Sequence, residues 1–246
     1  MAHQADAKRA LDERGYTGAL IHGDNPLKLF EKAVRDRIVD SYYWKEQCFG
    51  LNAATLLDRA LELNSIGGTF GVAQKPTPFL CLAFKLLQLT PEREVIEFYL
   101  LQGGEEFKYL RALAAFYVRL AWERDEEVYS TLEPLLADKR KLRRRTREGW
   151  ELTWVDQFVD DLLVKGRVCA TTLPKINPRG FLEDEDRLEP RESALGVELE
   201  GLDGSGSGSG SEGGGTEGEG EEEVNGHANG RGSADAEASG ESMDEG

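Results

Sequence analysis

Histidine and cysteine are scarce in this chain, three of each among 246 residues. Their placement excludes most of the chemistry that depends on them. His3 and His227 fall in segments read as flexible, which leaves His22 alone, in HGDNP. A single imidazole before a helix start suits a turn or a partner contact. Nucleophilic catalysis would need a nucleophile, a base and a group to orient the base. Cys48, Cys81 and Cys169 are odd in number and far apart, whereas a disulfide framework is denser and a zinc site shows close pairs. Each lies in apolar or aromatic company, the setting of a buried reduced thiol in a reducing compartment. Long apolar runs are missing as well. The longest, Phe79 to Leu89, contains Lys85 and is too short to cross a bilayer. No apolar run follows MAHQADAKRA, so no signal peptide is expected. The expectation is an intracellular, soluble protein, not an enzyme, with no catalytic residue, metal or cofactor.

Charge is unevenly spread. The formal net charge is −16, from 46 acidic and 30 basic residues. Residues 201–246 hold 12 of those acidic residues and 15 of the 28 glycines, against one cation, Arg231. The acidity is therefore mostly a property of this C-terminal stretch, which has almost no large apolar residue. It cannot offset the entropy of ordering and reads as a disordered acidic Gly/Ser/Glu-rich tail. The nearly balanced remainder is long enough for one sizeable core, burying roughly 70 % of the surface its unfolded chain exposes.

Convincing runs of alternating β-branched residues are absent, and the three-to-four-residue helical period dominates instead. Leu27, Phe30, Val34 and Ile38 mark one helix face, with Asn25 placed to cap it and Pro26 in its first turn. A second helix follows Asn52. Thr77-Pro78 reads as cap and first position for PFLCLAFKLLQL, apolar almost all round and therefore central. Thr90-Pro91 restarts the pattern. Phe107 to Leu120 and Val155 to Leu163 are further helices, the latter with Thr153 as cap and Asp156 answering it. Pro134 marks a break or first turn between them. The predicted fold is all-α: a single compact multi-helix domain over 21–172, after a flexible segment 1–20. An irregular strap over 173–200 packs on that core, and the tail covers 201–246.

Four features could carry function. The glycines of IGGTFG, Gly67, Gly68 and Gly71, lack the strand before them and the Lys-Ser/Thr after them that a phosphate loop needs. They read as a flexible interhelical turn requiring positive φ. The carboxylates Asp156, Asp160 and Asp161, and Glu183 to Asp186, read as solvated faces. The run KRKLRRRTR is the strongest electrostatic feature, with Lys139, Arg140, Lys141, Arg143, Arg144, Arg145 and Arg147 cationic. Three readings are open for it: a solvated helix end, a contact to RNA phosphates, or a dock for an acidic segment such as the chain's own tail. No aromatic interleaves with the run, which argues against a single-strand stacking platform. Finally, SYYWKEQCFG groups Tyr42, Tyr43, Trp44 and Phe49. Some of these rings belong to the core, and the surplus, with Tyr42, Tyr43 and Trp44 as candidates, would form a partner-binding patch.

HGDNP, EKAVRDRIVDSYYWKEQCFGL, IGGTFG and KPTPFLCLAFKLLQLTPE resemble the pre-mRNA-splicing factor 38 family. So do EFKYLRALAAFYVRL, LEPLLADKRKLR, VDQFVDDLL, RVCATTLP and LEPRESAL. The resemblance runs from Ile21 to Leu195 in the family's order. It implies an all-helical nuclear splicing factor and a non-enzymatic docking hub of the pre-catalytic spliceosome, required for spliceosome activation. The partners it implies are tri-snRNP components, a microfibrillar-associated protein homologue and a zinc-finger splicing factor. A hub of this kind is expected to be monomeric when free. The Gly/Ser/Glu tail departs from the Arg/Ser-rich tail of some relatives, so functions tied to Arg/Ser repeats do not carry over.

Overall fold

The computed structural model describes Tyr16 and residues 18–191. The expectations for residues 1–15 and 17, for the strap beyond Arg191 and for the acidic tail lie outside these residues. Nine α-helices are present among the described residues: α1 (Lys32–Asp40), α2 (Ala53–Leu61), α3 (Pro78–Leu89), α4 (Arg93–Leu100), α5 (Gln102–Glu106), α6 (Lys108–Ala121), α7 (Asp125–Leu132), α8 (Val155–Val164) and α9 (Arg179–Asp184). The all-α expectation needs correcting, because seven short strands also form among the described residues. β1 (Ile66–Gly67), β4 (Lys141–Arg145) and β5 (Trp150–Trp154) make one sheet in the order β1-β4-β5. β2 (Thr69–Phe70) pairs with β3 (Lys75–Pro76), and β6 (Arg167–Val168) with β7 (Thr171–Thr172).

Helices α3 and α6 form the centre. From Phe79 to Leu87 and from Leu110 to Ala121 every residue is buried, as an all-round apolar helix requires. Rings from separate segments interlock between them. Phe84 meets Phe30 at 5.4 Å and Trp44 at 5.3 Å, while Phe79 meets Phe116 at 5.8 Å and Phe158 at 6.2 Å. Such tilted and edge contacts add to the area these rings bury.

Local chemistry sets the boundaries. The Asn52 side chain accepts from Thr55 N–H at 2.8 Å while Thr55 Oγ1 accepts from Asn52 N–H, a reciprocal cap on α2. Asn25 caps only a short 3-10 turn, Pro26–Leu29. The chain then extends at Phe30 before α1 begins, so the predicted single helix is two elements. Thr77 has two tasks: its hydroxyl accepts from Leu80 N–H at the start of α3 and donates to the Gly67 carbonyl at 2.7 Å. Thr153 lies in β5, and no side chain caps α8; the predicted Thr153 cap is replaced by a direct strand-to-helix junction.

Of the glycines of IGGTFG only Gly71 lies in a turn, between β2 and β3. Gly67 and Gly71 do take positive φ, +150° and +69°. However, Gly67 lies in β1, parallel to β4, where a Cβ would come within 2.4 Å of the Arg145 carbonyl oxygen. A Cβ on Gly68 would come within 2.3 Å of the Cys169 backbone. At Gly67 and Gly68 a strand and the β6–β7 turn approach too closely for any side chain, whereas Gly71 has open space and takes its positive φ in the β2–β3 turn. Within the predicted strap, Leu173 and Leu182 are buried, and Arg119 on α6 donates to the Pro174 carbonyl at 2.6 Å.

Candidate functional site

Two surfaces gather the sequence-predicted residues. The first is a groove of about 650 Å³ between α1 and the β2–β3 hairpin. The segment after α1 forms one wall. There Ser41 Oγ donates to the Ile38 carbonyl at 2.7 Å and the chain passes into a π-helical turn, Trp44–Cys48. The aromatic trio at the entry to this turn differs in exposure. Tyr42 is 79 % exposed and Tyr43 half-buried, and both line the groove. Trp44 is 1 % exposed, packs on Phe84, and carries the Lys85 ammonium 5.7 Å from its ring. It is a core residue and offers no surface to a partner. Burial raises the Tyr43 pKa above its ordinary value, so the phenol is neutral in the groove wall. Phe70, Pro76 and Pro78 supply the opposite apolar surface, with Asp36, Arg37, Asp40 and Lys75 around it.

The second surface is built from the basic run, which is a strand and not a helix end. β4 pairs with β5 in antiparallel register: Lys141 faces Trp154, Arg143 faces Leu152 and Arg145 faces Trp150. Directly opposed residues share a face, so these six project together. The other face carries Leu142 and Thr153 into the core, with Arg144. The fold thus sorts the cations. Lys139 pairs with Asp156 at 2.8 Å, Arg140 with Asp138 at 2.5 Å, and Arg144 with Asp161 at 3.1 Å. Among the described residues no ion pair engages Lys141, Arg143, Arg145 or Arg147. The Arg143 and Arg145 guanidinia lie over the Trp150 ring, 4.4 and 4.6 Å from its centroid, and Arg145 also reaches Phe70 at 5.0 Å. No aromatic interrupts the run in sequence, but pairing with WELTW interleaves two tryptophans with it in space, contrary to the expectation of no stacking platform.

The PRP38 family model matches residues 19–186, the span that contains both surfaces. The chain belongs to the PRP38 family. It is 57 % identical over 176 residues to pre-mRNA-splicing factor 38 of Schizosaccharomyces pombe, covering 72 % of this chain and 82 % of that relative. It is 48 % identical over 181 residues to the Drosophila melanogaster factor, 73 % of this chain and 54 % of the relative. The human factor 38A is 46 % identical over 184 residues, 74 % of this chain and 58 % of the relative. The matched region therefore spans little more than half of the animal relatives. Among solved structures, the crystal structure of the Snu23-Prp38-MFAP1(217-258) complex of Chaetomium thermophilum contains a similar chain. That chain is 56 % identical with a TM-score of 0.71, over 76 % of this chain and all of that one.

The remaining candidates of this PRP38-family chain go to structural work. His22, at φ 52°, contacts the Leu120 carbonyl through Nε2 at 3.0 Å, and its backbone N–H donates to Glu123 Oε1 at 2.7 Å. It fastens the entry loop to the end of α6. The carboxylates are divided among cations: Asp156 holds Lys139, Glu183 holds Arg179, and buried Asp161 holds Arg144 and Lys165. Burial alone would raise the Asp161 pKa, but the Lys165 hydrogen bond and the Arg144 charge outweigh it and hold the group below its ordinary value. Asp160 is exposed. All three cysteines are free and buried.

The sequence reading missed Asp138. This buried carboxylate accepts from Arg111 at 2.7 Å and from Arg140 Nε at 2.9 Å. Arg111 also donates to the Leu100 carbonyl, and Arg140 to the Gly104 and Glu105 carbonyls. The ends of α4 and α5, helix α6 and the root of β4 are thereby joined. The signal available was the Asp-Lys-Arg step after a leucine-rich helix, which by itself specifies no partner.

Proposed function

We propose that this chain is a protein-interaction scaffold of the pre-mRNA-splicing machinery in the nucleus, with no catalytic role. The single observation that carries the reading is the groove beside Tyr42: apolar and aromatic walls, charged surroundings and a volume of about 650 Å³. An amphipathic helix laid into a groove needs such anchors and such a rim. The Chaetomium thermophilum relative, assembled with Snu23 and a segment of MFAP1, supports it. By that likeness the partners are a zinc-finger splicing factor and a microfibrillar-associated protein homologue, with tri-snRNP components around them. Holding two partners at once raises their effective concentration and fixes their geometry, which is how a protein without catalysis promotes the step to an active spliceosome. Tyr42 and Tyr43 are the anchors on this chain. Fluorescence anisotropy of a labelled microfibrillar-associated protein segment, titrated with the full chain, tests the assignment. Tyr42→Ala weakens binding by about tenfold or more with unchanged thermal stability; unaltered affinity removes the groove from the interface.

A further inference from the structure

We propose that the outer face of the β4–β5 hairpin binds single-stranded RNA. Four observations converge on it. Lys141, Arg143 and Arg145 occupy alternate positions of one strand, so their side chains leave the sheet about 6.7 Å apart on one side. That row can follow successive phosphates of an extended strand. None of the three is neutralised by a carboxylate among the described residues, although Lys139, Arg140 and Arg144 of the same run all are. Opposite them stand Trp150, Leu152 and Trp154, 51 %, 57 % and 39 % exposed. The hairpin turns its largest apolar side chains toward solvent and its small inner face toward the core. A folded surface that keeps such a patch open has something to lay on it. Finally, the Arg143 and Arg145 guanidinia rest over the Trp150 ring, which lines up planar π surfaces beside free cationic charge.

Single-stranded nucleic acid answers both halves of this pattern, with phosphates for the cations and unstacked bases for the planar groups. A duplex hides its base faces and would use the charge alone. An acidic peptide would satisfy the cations but leave the indole and guanidinium planes with little to stack on. The hairpin is also anchored for the task. Lys108 Nζ donates to the Lys141 carbonyl at 2.6 Å, the Tyr109 hydroxyl accepts from Arg143 N–H at 3.1 Å, and β1 pairs along Arg144 and Arg145.

The test is fluorescence anisotropy of a labelled mixed-sequence RNA of about 12 nucleotides, titrated with the full chain between about 50 and about 200 mM salt. Saturable binding is expected, with a log–log salt slope near −2, as about three phosphate contacts give for a single strand. Trp150→Ala should weaken binding about tenfold with the slope unchanged. Arg143→Ala should weaken it and flatten the slope by about 0.7. A duplex of the same sequence should bind more weakly than the single strand. Thermal melts of both variants, whose side chains are exposed, establish that they are folded. Absence of saturable binding, or binding indifferent to Trp150→Ala, overturns the proposal. So does a poly-glutamate peptide that binds as tightly and is lost in the same variants, or loss of the microfibrillar-associated segment with RNA binding intact. The groove reading keeps a reporter of its own, Tyr42, which lies outside the hairpin, although Phe70 of the groove wall touches Arg145.

Discussion

Removing the charge of Asp138 should loosen the joint on which the hairpin stands. Burial alone would raise the pKa of this carboxyl, but hydrogen bonds from Arg140 and Arg111 and the Arg140 charge outweigh it and lower it from 3.8 to about 2. At about 1.4 kcal/mol per unit, the difference corresponds to roughly 2 kcal/mol of stability at neutral pH. Asp138→Asn keeps the shape and one acceptor, and should cost about that much. Asp138→Ala also deprives buried Arg111 of its main partner and should cost about 3 kcal/mol or more. Because the folded-state pKa is depressed, the contribution is complete above the unfolded value near 3.8 and is lost as pH falls through about 2. About half of it should remain at pH 3. Urea unfolding of wild type and Asp138→Asn at pH 7, 5 and 3 reads this directly, as a midpoint difference of about 1 M at neutral pH that narrows on acidification. A difference that is equal at pH 7 and pH 3, or below about 0.5 kcal/mol at pH 7, would refute the reasoning.

Three further outcomes are expected. Gly67→Ala should destabilise by about 2 kcal/mol or more in calorimetry, because φ is +150° and the new Cβ meets the Arg145 carbonyl oxygen; Gly166→Ala, with open space around it, should stay within about 0.5 kcal/mol. Phe116→Ala should cost about 3–5 kcal/mol, since its ring sits between Phe30 and Phe79. Burial pushes the Cys48 and Cys169 thiols up to about 12 and raises Cys81 further. All three should therefore resist Ellman's reagent at pH 8 in the native protein and react in urea.

Helices with apolar faces and polar caps were legible from sequence because cap, period and burial agree in them. Asn52 and Thr77 each precede a run whose period matches the face it buries, and both act as caps. The β4–β5 hairpin was illegible for an equally physical reason. WELTW does alternate, but its large residues face solvent while only Thr153 and, across from it, Leu142 enter the core. A search that equates apolar with buried assigns such a strand to the wrong face or misses it. The glycines of IGGTFG carried their conformational requirement but not their cause, since the neighbours that exclude a Cβ lie at Arg145 and Cys169. Trp44 shows the same limit at the candidate site. Three adjacent rings are alike in sequence, and only the fold shows that the core takes Trp44, the first residue of the π-helical turn, and leaves Tyr42 exposed.

The most direct test of the scaffold reading is a native mass-spectrometric titration of the full chain with the microfibrillar-associated segment and the zinc-finger factor together. A single species containing one copy of each component is predicted, formed at the same concentrations as the two binary complexes. Mutually exclusive binary complexes, or no complex with either protein, would contradict it.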